Sequence, residues 1–220
     1  MRLVSSIYPD YYPFQEGMSD VFDSFINSSN EADLQEGDVL LVWGGEDISP
    51  ALYDEPVNVF GDGSITPSRR DQIEWGMMLR AKALGIPIIG ICRGAQMLCA
   101  LAGGSLWQHV DNHAGARHYV ETYDGQKLLT NSVHHQMMRL DGIPRSDYQL
   151  IGWTDPRSEH YHYGARAIHS VTPDQVDPEF VWFNRINGFA IQWHPEFVDY
   201  PDEATDYVFN FIRARIGVTV

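Results

Sequence analysis

Residues 86–98 read IPIIGICRGAQML, and the fold turns on how they are read. The short apolar run at residues 86–91 ends at Cys92, and a helix-forming stretch, residues 94–101, follows directly. An apolar run without polar alternation suits a strand covered on both faces, as in a parallel sheet. Pro87 lacks an amide donor and fits only near the start of such a strand. A strand entering a helix through Gly90-Ile91-Cys92-Arg93-Gly94 has the logic of a nucleophile elbow. The tight turn pushes the central side chain out beyond the sheet, and glycines on either side let neighbouring chain pack close. Cys92 then sits at a helix N-terminus, a position that favours a thiolate. The Arg93 N–H points where an oxyanion would form. For an isolated cysteine the plain alternative is a small buried side chain at a strand end, and the glycine-flanked pattern weighs against it. Cys99 has no such setting; it lies on an apolar helix face and reads as core.

Two further apolar runs have the same character. Residues 39–43 (VLLVW) end at Gly44-Gly45, and residues 189–193 (FAIQW) end at His194. Between the runs lie helical patterns. Residues 71–84 (DQIEWGMMLRAKAL) carry acids at their start and Arg80 and Lys82 near their end, matching the helix dipole, with Gly85 as the residue after the helix. Residues 203–216 (EATDYVFNFIRARI) form a carboxyl-terminal helix announced by Pro201-Asp202. Strands alternating with helices imply an α/β fold with a mostly parallel sheet. Residues 115–181 are richer in His, Tyr, Asp and Arg, with shorter apolar runs, and read as a small, partly antiparallel insert. No low-complexity linker or internal repeat interrupts the chain, so residues 1–220 are expected to form a single domain.

Composition excludes several function classes. At 44% hydrophobic and 20% charged residues, the chain is ordinary for a globular protein and too apolar for disorder. Its net charge of −15, from 15 basic and 30 acidic residues, opposes binding to nucleic-acid backbones or anionic membranes. A small metabolite or a basic protein partner fits better, and solubility is the plain reason for such acidity. The two cysteines, Cys92 and Cys99, are seven positions apart in one helical segment. Two helical turns rise ~10 Å, too far for a disulfide, so a reducing compartment is expected. The amino-terminal MRLVSSIYPDYYPFQ has no signal-peptide core. No apolar run reaches the ~18 residues of a membrane span. The expectation is a cytoplasmic protein.

A thiol nucleophile needs a base, and the base needs an orienting acceptor. Trp193-His194-Pro195-Glu196 offers both after an apolar strand. Glu196 can fold back to His194, fix its tautomer and stabilise the imidazolium. In parallel α/β sheets ligands bind beyond the carboxyl ends of strands, so Cys92 and His194 can meet despite their distance in sequence. With nine histidines present, a surface loop histidine is the alternative for His194 taken alone. His109, His113 and His118 are spaced closely enough for a metal site, but no Cys completes the set. No metal or organic cofactor is expected.

Gly90–Leu98, GICRGAQML, resembles the nucleophile motif of class I glutamine amidotransferases, and Gln192–Glu196, QWHPE, resembles their His-Pro-Glu motif. Four segments are similar to the γ-glutamyl hydrolase branch of that superfamily. They are Gly44-Gly45-Glu46-Asp47-Ile48-Ser49-Pro50 with Tyr53, Arg70-Asp71 with Glu74, Gly103-Gly104-Ser105-Leu106-Trp107-Gln108, and Asn131-Ser132-Val133-His134-His135-Gln136. The motifs run in the family's order from Val39 to Phe197 and are strongly specific together. The chain departs from the family at Trp43, where a Pro usually precedes the Gly pair, and at Ala95, where Gly or His is usual. Residues 140–181 match poorly, which bears on substrate identity more than on chemistry.

The resemblance implies a flavodoxin-like three-layer sandwich with helices on both faces of the sheet. It also implies hydrolysis of a γ-glutamyl amide through a glutamyl thioester. Cys92, His194 and Glu196 would be the catalytic triad, and the backbone N–H groups of Gly45 and Arg93 the oxyanion hole. Gln96, His134 and His135 are candidates to contact substrate; the alternatives are a helix residue bonded to a loop and a histidine pair bracing the insert. Two other readings stay open. One is a glutaminase subunit supplying ammonia to a separate synthetase partner; the other is a catalytically inactive binding module. A homodimer is a further expectation from the resemblance.

Overall fold

The computed structural model describes residues 1–7, 17–115, 117–172, 174–198 and 201–217. The reading of the amino-terminal stretch at residues 8–15 lies outside them. In chain order the elements are β1 (Arg2–Ser5), β2 (Ser24–Asn27), β3 (Val39–Val42), α1 (Arg69–Leu84), β4 (Ile88–Ile91), α2 (Arg93–Leu101), β5 (Ser105–Trp107) and β6 (His109–Val110). There follow β7 (His118–Thr122), β8 (Lys127–Thr130), β9 (Met137–Arg139), β10 (Tyr148–Thr154), β11 (His160–Tyr163), β12 (Ala167–Ser170), β13 (Asp177–Phe183), β14 (Gly188–Ile191) and α3 (Glu203–Ile216).

A nine-stranded sheet of order β2-β1-β3-β4-β14-β13-β10-β7-β8 organises the molecule. Its first five strands are parallel. The other four, all from the region read as an insert, continue the same sheet antiparallel. Two small sheets, β12-β11-β6 and β5-β9, join that region to β5 and β6, which precede it. Every residue of β3, β4 and β14 is buried, as their unbroken apolar sequences require. Alternation sends Leu40, Val42 and Ile88 to a layer containing Met77 and Ala81 of α1 and Leu98 of α2. It sends Val39, Leu41 and Ile89 to an opposite layer containing Val208, Phe209 and Ile212 of α3. Helices therefore cover both faces, the flavodoxin-like α/β sandwich. Among the described residues, no helix is long and apolar enough to cross a membrane.

Helix α1 begins two residues before the expected Asp71. Ser68 caps it, its side chain accepting from the Asp71 N–H at 3.0 Å, while the Asp71 carboxylate accepts from the Ser68 N–H at 2.9 Å. Gly85 closes it at φ 69°.

Candidate functional site

Register assembles the site. β4 pairs with β14 so that Ile91 lies beside Ile191, and with β3 so that Val42 lies beside Gly90. Cys92, His194 and the Gly44-Gly45 pair therefore all leave the sheet at one carboxyl edge. Cys92 adopts φ 49° and ψ −104°, a conformation rare for a residue with a side chain. A β-carbon on Gly90 would collide with the Gly94 carbonyl, and one on Gly94 with the Val42 carbonyl. Only glycine at both positions permits the turn.

Cys92 and His194 both face Gly44: a β-carbon there would lie 2.5 Å from His194 Cε1 and 3.4 Å from Cys92 Cβ. His194 Nδ1 donates to Glu196 Oε1 at 2.6 Å, and both side chains are nearly buried. The Phe197 ring stacks on the imidazole at 4.3 Å. Burial opposes charge on His194, but its hydrogen bonds to Cys92 and Glu196 outweigh that and raise its pKa to about 10. Asn131 grips the backbone of the same residue: its Oδ1 accepts from the His194 N–H at 2.9 Å and its Nδ2 donates to the His194 carbonyl at 2.6 Å. Burial pushes the Cys99 thiol up to about 12, and its sulfur lies in the core beneath α2.

A pocket of about 380 Å³ opens above Cys92, lined by Gly45, Asp47, Gln96, His134, His135 and Gln136 among others. It thus brings together all three expected substrate-side residues. Each also has a bracing bond. Gln96 Nε2 donates to the Gln136 carbonyl at 3.1 Å. His134 Nδ1 donates to that carbonyl at 2.9 Å, and His135 Nε2 donates to Asp47 Oδ1 at 3.0 Å. The Asp47 bond raises the His135 pKa against burial, whereas burial lowers that of His134. All three side chains thus line the pocket and brace its walls at once.

Sequence spacing missed the charge network under the turn. Arg93, almost fully buried, donates to Asp71 Oδ1 at 2.5 Å and to Glu74 Oε2. Glu74 also accepts from Arg70 Nε at 3.1 Å and from Ser6 at 2.7 Å. Arg70 Nη2 donates to the carbonyls of Trp43 at 3.0 Å and Gly44 at 2.9 Å. A trans peptide sets its N–H opposite its C=O, so holding the Gly44 carbonyl turns the Gly45 N–H away from Arg70. Gly45 itself has φ 146°, open to glycine alone. The histidines grouped by spacing separate in space: His113 and His118 converge with His134 on Glu179, while His109 packs against His135 and His162.

Comparison with known proteins agrees with this architecture. Residues 26–196 match the family model described as Peptidase C26. A Schizosaccharomyces pombe protein named "Putative glutamine amidotransferase" is 41% identical over 163 residues, 72% of this chain and 62% of that protein. A Mycobacterium tuberculosis protein of the same description is 37% identical over 166 residues, 71% of this chain and 50% of that protein. The chain thus spans between half and two thirds of the length of these two relatives. The glutaminase domain of Trypanosoma brucei CTPS superimposes with a TM-score of 0.61 at 14% identity, covering 100% of this chain and 94% of that one, a likeness of fold. The chain belongs to the Peptidase C26 family, the γ-glutamyl hydrolase-like branch of the class I glutamine amidotransferase-like superfamily.

Proposed function

We propose that the chain hydrolyses the γ-glutamyl amide bond of glutamine or of a γ-glutamyl amine or peptide, with Cys92 as nucleophile, His194 as acid and base, and Glu196 as its orienter. The observation that carries this reading is the strained Cys92 turn, glycine-walled and facing an imidazole that Glu196 holds at 2.6 Å. At neutral pH His194 is the imidazolium, with Cys92 as one of its two partners. The Cys92 sulfur attacks the amide carbonyl, and the S–C bond forms as the carbonyl electrons move to oxygen. The Gly45 and Arg93 N–H groups receive that oxyanion; Arg93 is the first residue of α2, where an amide has no partner within the helix. When the oxyanion collapses the C–N bond breaks, and His194 gives its proton to the departing ammonia or amine. The neutral imidazole then takes a proton from water, whose oxygen displaces the thiol and releases glutamate. Asp47, Asp62 and Glu46 on the pocket rim favour substrates that present an ammonium group there.

The test is glutamate release by the purified protein alone from glutamine, γ-glutamyl amines and γ-glutamyl peptides, beside Cys92→Ala. Turnover of one compound by wild type alone supports a stand-alone hydrolase. Silence of both proteins on every compound contradicts it, and a glutaminase that works only with a synthetase partner becomes the better reading, ahead of an inactive binding module.

A further inference from the structure

A second cluster of chemistry-bearing side chains lies beside the pocket and shares only His134 with its wall, and no bond-making step of the amide hydrolysis uses it. His113, His118, His134, Asp177 and Glu179 are all buried. They come from the segment before β7, from β7, from the segment after β8 and from β13. Hydrogen bonding fixes which ring nitrogens carry protons. His113 Nε2 lies 2.9 Å from Asp177 Oδ2, and a carboxylate accepts, so this nitrogen donates. His134 Nδ1 lies 2.9 Å from the Gln136 carbonyl, so it donates too. In the neutral rings that leaves bare lone pairs on His113 Nδ1 and His134 Nε2, and neither atom has a hydrogen-bond partner. Both point at the same acceptor: they lie 3.6 and 3.7 Å from Glu179 Oε1. Lone pairs converging on a buried carboxylate oxygen repel unless a cation sits among them.

We propose that His113, His134 and Glu179 bind a divalent transition-metal ion, zinc by ligand type. The three ligand atoms lie within 4.8 Å of one another. A tetrahedral ion with bonds of ~2.0–2.1 Å separates its ligands by ~3.4 Å, a few tenths of an ångström inside the two histidine-to-Glu179 spacings. The outer contacts are those that orient metal-binding histidines, one ring N–H on a carboxylate and the other on a backbone carbonyl. His118 Nε2 donates to Glu179 Oε1 at 3.0 Å and orients that carboxylate, leaving a second lone pair of Oε1 for the ion. Charge agrees. Asp177 and Glu179 place two negative charges among imidazoles, and a divalent ion cancels them where unpaired buried charge is costly. The site ties β13 to the segment that carries both His134 and Asn131, the residue that grips His194. Its role is to fix that segment; the reacting bond is made and broken at Cys92.

The test is elemental analysis of tag-free, full-length protein purified without chelator, then equilibrated with zinc and desalted. One zinc per chain is expected in wild type, in Cys92→Ala and in His135→Ala, and less than a tenth of that in His113→Gln and Glu179→Gln. The His135 variant separates this site from Asp47, Asp62 and His135, which also come within ligand reach of one another. Should the buried variants fail to fold, the wild-type cobalt spectrum decides, with nitrogen and oxygen ligands expected and no thiolate band. A wild type that retains neither zinc nor cobalt overturns the proposal, as does retention by both His113→Gln and Glu179→Gln, loss in His135→Ala, or a thiolate band.

Discussion

Replacing Arg70 with methionine tests whether the Gly45 amide is held in place from behind. Arg70 lies behind the Gly44–Gly45 turn, with Nη1 beside Gly45 and 3.7 Å from Glu46 Oε2; its guanidinium donates to the carbonyls of Trp43 and Gly44 at 3.0 and 2.9 Å. Methionine keeps most of the stem and removes both carbonyl bonds, together with the Nε bond to Glu74. The Gly44–Gly45 peptide, flanked by two glycines, is then free to rotate, and the Gly45 N–H no longer faces the oxyanion. Losing one such donor costs about 2.7–4 kcal/mol of transition-state stabilisation, or about 10²–10³ in kcat. The ground-state amide gains less from that donor, so KM is expected to move by less than about threefold. Steady-state kinetics on the preferred γ-glutamyl compound give both numbers, and the alkylation rate of Cys92 serves as control because the thiol keeps His194. A kcat within about threefold of wild type would refute the reasoning. So would a loss confined to KM, or alkylation slowed in step with kcat.

Other outcomes follow from the same geometry. Gly44→Ala sets a methyl 2.5 Å from His194 Cε1; displacing the base by even ~1 Å costs roughly 100-fold in kcat, with thermal stability near wild type. Asn131→Ala removes both bonds to the His194 backbone, and a loss of about 1–3 kcal/mol is expected in urea unfolding together with lower kcat. The pH dependence of stability has a defined sign. His194 rises from its ordinary 6.5 to about 10 on folding, so it contributes stability that is full below about 6.5 and lost as pH climbs through about 10. Cys92→Ala removes one of its two partners, so in urea titrations from pH 6 to 11 the decline still begins near 6.5 but is smaller and ends at lower pH. An unchanged profile in the variant would contradict the pairing.

The parallel half of the sheet was legible because its strands are buried on both faces, and residues 39–42, 88–91 and 188–191 advertise that in unbroken apolar runs. Helix α3 was legible to the residue, since Asp202 caps it and Gly217 ends it. The antiparallel half was less so: β7 alternates buried and exposed positions and β12 is only half-buried, so neither stands out from polar surroundings. Cys92, His194 and Glu196 were visible because each follows a strand end. Arg70 and Asn131 stood in the family-like segments, but their supporting roles were not visible. Arg70 acts on residues 26 and 27 positions away, and Asn131 acts on His194 across 63. No local pattern encodes such pairs; they arise only once register brings β3, β4 and β14 to one edge. The histidines show the same limit, because spacing grouped His109 with His113 and His118 whereas folding replaces it with His134.

The most direct test of the proposed chemistry is to trap its intermediate. Wild-type protein turning over its preferred γ-glutamyl compound is quenched in acid within the first turnovers, digested and examined by mass spectrometry. The account predicts one glutamyl group in thioester linkage on the peptide that contains Cys92, absent from Cys92→Ala and discharged by hydroxylamine. Turnover without that adduct when breakdown is made rate-limiting, or glutamate release that survives in Cys92→Ala, would contradict it.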